Sequence, residues 1–167
     1  MKNQEDVIIV CGEICSGKDT FCGTIAKTHR QIVVSDIVRS VSGKRSRSEL
    51  SDTADLDKEI AGEILKEIRR SLDYIPYEKV VINGIRQSSI LVAVKRECAL
   101  KEHTYNSIWL DVDRETLNAR WESRAHKKDD LPFKDAIAKD NKLGLKVVKK
   151  LITAHGTIIK KTKKTTK

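Results

Sequence analysis

The chain has 167 residues, which suits one domain with a core of its own and removes the need for a disulfide or metal staple. Hydrophobic residues make up 39% and charged residues 34%, with 4% aromatic, a soluble globular composition that excludes intrinsic disorder. The formal net charge of +9 points either to a site for polyanions or to a basic tail, and Lys160 to Lys167 (KKTKKTTK) supplies five lysines in eight residues.

Residues 1–160 read as one domain and residues 161–167 as a basic tail, either solvated or in weak contact with nucleic-acid phosphates. None of the four cysteines, Cys11, Cys15, Cys22 and Cys98, forms a CxxC pair or completes a zinc pattern with histidine. With no secretory signal and no long apolar run, reduced thiols, a cytoplasmic setting and no membrane partner are expected. Cys15 lies where a reagent on its thiol would block the motif described below.

In chain order, Val7 to Cys11 is a continuous apolar, β-branched run and predicts a buried parallel strand. Lys18 to Arg30 predicts a helix with Phe21 and Ile25 on one face. Ile32 to Val34 predicts a second strand, and Ser35-Asp36 an N-cap pair for a helix through Arg39 or slightly beyond. Ser42 to Asp52 has no apolar periodicity and reads as an exposed loop. Leu56, Ile60, Ile64, Leu65, Ile68 and Leu72 recur at spacings of three and four, so an amphipathic helix is expected from about Thr53 to Asp73, closed off by Pro76.

Val80 to Ile82 predicts the third strand, and Ser88 to Leu100 a helix with Leu91, Val92, Val94 and Lys95 on its apolar face. Ser107 to Leu110 predicts the fourth strand and Arg114 to Arg124 a helix, followed by a polar break at His126 to Asp130. Pro132 suits the first turn of a helix to about Lys142, which Gly144 interrupts; a short amphipathic stretch and a fifth strand at Thr157 to Ile159 follow. Trp109 and Trp121 read as packing residues. Strands that alternate with helices predict an α/β fold with a parallel five-stranded sheet, covered on both faces and binding ligand at the strands' carboxyl ends.

Gly12-Glu13-Ile14-Cys15-Ser16-Gly17-Lys18 matches GxxxxGK between a strand and a helix. The glycines let the backbone wrap an anion, the helix N-terminus adds partial positive charge, and Lys18 brings a mobile cation to the β- and γ-phosphates. ATP with Mg²⁺ is therefore the expected cofactor pair. Asp19 stands where a Ser or Thr usually ligates Mg²⁺, and Thr20 follows. Asp19 either reaches the ion or its waters or simply suits the helix N-terminus, and Thr20 is placed to bond a phosphate oxygen.

The wording GxxxSGKDT resembles phage deoxynucleoside monophosphate kinases and related small P-loop kinases. Ser35-Asp36-Ile37-Val38-Arg39 resembles the adenylate kinase segment after the second strand, where an arginine grips the acceptor phosphate. Asn83-Gly84-Ile85-Arg86 looks like the DGxxR stretch after the third strand. Arg120-x-x-x-Arg124 resembles the arginine pair where the lid begins, and Lys127 to Asp130 the stretch where it ends. Dephospho-CoA kinases and a group of archaeal kinase-like proteins share the Asp-x-x-Arg and GxR elements. The resemblance implies a three-layer P-loop fold and a phosphotransferase acting on nucleotide substrates, foremost a nucleoside or deoxynucleoside monophosphate kinase forming the diphosphate; the lid, only a few residues here, is shorter than the long subdomain of many adenylate kinases. It departs from the pattern at Asn83, where an acidic residue often holds the magnesium hydration shell, and after the lid, where Lys139 is the only basic counterpart.

Phosphoryl transfer needs alignment and charge neutralisation, and arginine forks suit both. Arg39 and Arg86 are expected on the acceptor, Arg120 and Arg124 on the transferring group. Asp36 separates two mechanisms: for a hydroxyl acceptor it is the base, while for a monophosphate it caps its helix or orders a magnesium water. A nucleotide-binding switch with little turnover is the remaining alternative.

Overall fold

The strand β1 (Val7–Gly12) is buried along its whole length. Successive side chains point to opposite faces of the sheet. Val7, Ile9 and Cys11 therefore enter one core layer, while Ile8 and Val10 enter the other. A continuous apolar run is what a central strand covered on both sides requires. The computed structural model describes residues 5–43, 56–73, 78–128 and 131–161, the side chains of 125–128 excepted.

Five parallel strands form the sheet, β1 with β2 (His29–Val33), β3 (Lys79–Asn83), β4 (Tyr105–Val112) and β5 (Thr157–Lys161), in the order β2-β3-β1-β4-β5. This is the expected three-layer P-loop architecture. Pairing sets Asn83 opposite both Val10 and Val33, so β1, β2 and β3 end together at one edge. The site is built at that edge.

One face is covered by α2 (Val34–Ser42), α3 (Asp57–Leu72), α4 (Ser88–Leu100) and α7 (Leu145–His155), the other by α1 (Lys18–Ile25). α3 drives Ile60, Ile64 and Ile68 into the core with no exposure. Each such side chain stabilises the fold by about 1.5–3 kcal/mol on transfer grounds. α5 (Arg114–Lys128) and α6 (Phe133–Leu143) pack beside the sheet's edge, with Pro132 at the N-cap of α6 and Gly144, at φ 113°, ending it. Among the described residues no helix is long and apolar enough to cross a membrane.

Several expected boundaries shift. α1 stops at Ile25, and residues 29 and 30 belong to β2. The polar side chains at the start of this edge strand hide its first residues from pattern reading but find partners. His29 Nε2 lies 2.9 Å from the Glu5 carbonyl, while Arg30 donates to Glu67 at 2.7 Å and Ser71 at 3.0 Å on α3. Val34 starts α2 instead of extending β2, so Ser35 and Asp36 lie inside the first turn and cap nothing. On α4 the buried set is Ile90, Leu91, Val94, Glu97 and Cys98, whereas Val92 is exposed. Glu97 accepts two short bonds from Arg69, which holds its carboxyl below the usual range and clips α4 to α3. α5 continues past Arg124 through residues expected to break. Most of the expected 42–52 loop, the start of the long helix before Leu56, and Pro76 lie outside the described residues. So does the tail after Lys161, while Lys161 itself ends β5.

Candidate functional site

Backbone conformation shapes the loop between β1 and α1. Cys15 (φ 65°) and Gly17 (φ 90°) are both left-handed, which turns the chain sharply into the helix. No side chain caps α1, so its first N–H groups remain for a ligand. A Cβ on Gly12 would collide with the Ser16 hydroxyl and lie 3.2 Å from the Leu110 carbonyl. Glycine is thus required where the loop closes. The Ser16 hydroxyl is buried and, among the described residues, has no hydrogen-bond partner, an orphan donor inside an anion-shaped cradle.

Lys18 arches back across the loop, its ammonium donating to the Gly12 carbonyl at 3.1 Å and the Glu13 carbonyl at 3.0 Å. Gly84, at φ 92°, leaves room for the lysine stem, whose Cε lies 3.8 Å from where a Cβ would be. At the start of α1, Asp19 accepts a bond from Asn83 Nδ2 at 2.8 Å, and the same amide reaches Gln31 at 3.4 Å.

A cavity of about 470 Å³ opens over the loop. Residues 14–20 of the loop and α1, including Thr20, form one wall together with Asn83, Arg120 and Arg124. The far wall is mostly apolar: Val33, Val34, Val38 and Leu143, with Ser35 and Gln87 as its polar groups. Gln87 is 2% exposed and brings a side-chain amide to the cavity lining. Arg86 faces the cavity between the two walls and is held from behind by Asp140 of α6 at 3.2 Å. Asp140 is itself buried.

The expected arginines divide. Trp121, buried on α5, packs with loop residue Ile14 and Ala136 of α6, and its indole N–H donates to the Leu131 carbonyl at 3.1 Å. That cluster seats α5 on the loop, so Arg120 donates to the Cys15 carbonyl at 2.9 Å and Arg124 approaches the Cys15 sulfur at 3.5 Å. Arg114 of the same helix pairs with Glu13 at 3.0 Å on the loop's outer side. Asp36 and Arg39 are not brought to the cavity: they pair with each other at 3.2 Å on the exposed side of α2, the aspartate side chain 71% exposed. α2 turns Val34, Ser35 and Val38 inward instead.

Two wall residues, Gln87 and Lys161, and the buried partner of a third, Asp140 behind Arg86, escaped the sequence reading. Gln87 follows Arg86 directly and had that adjacency as its only signal. Asp140 had none, being 54 positions from its partner. Lys161 was assigned to the tail, yet it lines the cavity beside Gly17.

Burial pushes the Cys11, Cys22 and Cys98 thiols up to about 12. They are neutral and inert near pH 7. Cys15 alone among the four is partly exposed, and it lines the cavity. Brief iodoacetamide treatment of the folded protein is therefore expected to add one label, at Cys15, to abolish ATP binding, and to be slowed by ATP. Peptide mass mapping with a binding titration reads this out, and full ATP binding after labelling would refute it.

Among the described residues no group of three or more His, Cys, Asp or Glu forms a metal cage. Magnesium does not need one, because it binds through one or two carboxylates, water and substrate phosphates. The Asp19 carboxylate in the wall, fixed by Asn83, fits that demand.

A family model described as AAA domain matches residues 8–140. Such a P-loop domain implies a nucleotide ligand, typically with Mg²⁺. No curated protein matches the sequence. Among solved structures, an uncharacterized protein from Eubacterium ventriosum ATCC 27560 is similar at 14% identity and TM-score 0.56, over 92% of this chain and 86% of that one. TT1252 from Thermus thermophilus is similar at 14% identity and TM-score 0.55, over 95% of this chain and 89% of that one. At these identities the likeness is one of fold.

Proposed function

The chain belongs to the AAA domain family, and on that premise we propose that it is an ATP-dependent nucleoside monophosphate kinase, with the triphosphate on the loop and the monophosphate against the far wall. The observation that carries this reading is the position of Asp36. A hydroxyl acceptor benefits from a carboxylate that takes its proton, whereas a monophosphate arrives ionised and needs none. Asp36 is exposed, paired with Arg39 and off the cavity, and Asp19 is the one carboxylate among the cavity-lining residues. Arg86, by contrast, faces the space between the walls with its guanidinium oriented by Asp140. That arrangement suits an anionic acceptor.

In the proposed reaction an oxygen of the acceptor phosphate attacks the γ-phosphorus of ATP. One P–O bond forms to the acceptor, the bond to the β–γ bridging oxygen breaks, and ADP leaves with that electron pair. Lys18 and the loop N–H groups hold the β- and γ-phosphates. Arg120 and Arg124 offset charge on the group in transit, and Arg86 aligns the acceptor. Thr20 is placed to bond a phosphate oxygen. Asp19, with Asn83, would hold Mg²⁺ or its waters, and the ion when bound neutralises phosphate charge.

Gln87 supplies selectivity in this scheme. Its amide lines a mostly apolar slot, where it can pair with the hydrogen-bonding edge of a planar heterocycle. Coupled ADP release with Mg-ATP against ribo- and deoxynucleoside monophosphates, dephospho-CoA and DNA tests the function. Turnover with one or a few monophosphates is expected. Turnover only with dephospho-CoA or DNA, or tight ATP binding with none, would reject the proposal. Gln87→Leu is expected to lower kcat/KM for the preferred monophosphate by about 10–100-fold, as for a lost buried hydrogen bond. The ATP KM should stay within twofold, and equal losses for every base would remove Gln87 as the selector.

A further inference from the structure

We propose that Lys161, the last residue of β5, is a donor-nucleotide residue whose ammonium binds the polyphosphate on its nucleoside side. The inference rests on the loop holding a nucleoside triphosphate and adds a contact that neither the motif nor the family match assigns. β5 pairs with β4 so that Lys161 lies opposite Val112, which carries its backbone to the carboxyl edge of the sheet. From there its side chain crosses to the loop. A Cβ built on Gly17 would lie 3.5 Å from Lys161 Nζ and 3.8 Å from Arg120 Nη1. The same ammonium stands 5.9 Å from the centre of the Phe21 ring, one turn along α1.

Two cations from distant parts of the chain thus flank one glycine at the uncapped start of α1. The helix end adds partial positive charge to theirs. Like charges gathered this way repel unless an anion joins them, and among the described residues Asp19 is the one acidic residue in the cavity wall. The two lysines also occupy different ends of the loop. Lys18 bends inward to the Gly12 and Glu13 carbonyls, the deep end where the β- and γ-phosphates belong. Lys161 reaches Gly17 from the sheet edge and rests against Phe21, at the rim where the chain of phosphates leaves the loop. Its ligand is therefore the α-phosphate of either ATP or ADP.

Titration of wild type, Lys161→Ala, Lys161→Met and Lys161→Arg with ATP and with ADP tests this, each at two salt concentrations. The alanine and methionine variants are expected to weaken ATP and ADP alike by about tenfold, the effect of one charge-assisted contact, and to flatten the salt dependence. The arginine variant should recover most of the loss. Methionine keeps the aliphatic stem against Phe21, so it separates lost charge from lost packing if the alanine variant melts early. Affinities within twofold of wild type in the methionine variant, or a loss for ATP without one for ADP, would overturn the assignment. A protein that binds ATP in a Lys161-dependent way but phosphorylates no monophosphate would keep this inference and fail the kinase reading, so the two failures are distinguishable.

Discussion

Lys18→Ala is expected to lower turnover with any accepted monophosphate by about 10²–10³-fold, the usual loss when one preorganised donor to a developing charge is removed. The ammonium spans the loop between the Gly12 and Glu13 carbonyls, so it already sits where the phosphates must lie and needs only to exchange those carbonyls for phosphate oxygens. The change should cost the fold little, since these are two bonds at a partly exposed site, worth about 1 kcal/mol each before solvent competition. A large kinetic loss at nearly constant melting temperature is therefore the signature. Lys18→Arg is not a rescue: a bulky planar fork cannot replace a compact point charge where the lysine stem passes so close to Gly84 that a Cβ there would lie 3.8 Å from Cε. Coupled ADP release beside a thermal melt decides it, and undiminished turnover in the alanine variant would remove the loop from the chemistry.

How far the sequence could be read follows from where each signal lies along the chain. The first strand and the phosphate loop are one continuous stretch, and both are legible because a buried strand must be apolar and an anion cradle must have glycine at fixed places. The long helix is legible from its threefold and fourfold spacing. β2 is legible only in its apolar end, Ile32 and Val33; its first residues are polar side chains satisfied in part by α3, a partner about forty residues away. The same limit governs the site. Asp36 and Arg39 look like site residues because they follow a strand, yet the helix is capped at Val33, two residues before the expected Ser35, and turns them outward and Ser35 inward. Gln87, Asp140 and Lys161 acquire meaning only through contacts made after folding.

Asp140 is where stability and function meet. Its carboxylate is 4% exposed and pairs with Arg86, whose guanidinium keeps 17% exposure toward the cavity. Removing one partner of a buried pair strands the other charge, so Asp140→Ala is expected to cost about 3 kcal/mol. For a domain of this length that lowers the melting temperature by about 6–12 °C. Asp140→Asn keeps an acceptor for Arg86 and should recover about half of the loss. Activity gives the sharper test, because a guanidinium no longer fixed from behind aligns the acceptor poorly. At a temperature where the asparagine variant is fully folded, kcat is expected to fall about tenfold while ATP affinity holds, since misplacement of a positioning group is felt in the aligned step. The double variant with Arg86→Ala should then lose no further kcat beyond Arg86→Ala alone, because Asp140 acts through that arginine. Additive losses in the double variant, or an asparagine variant that melts and turns over like wild type, would show that the pair is a structural contact and that Arg86 is placed by something else.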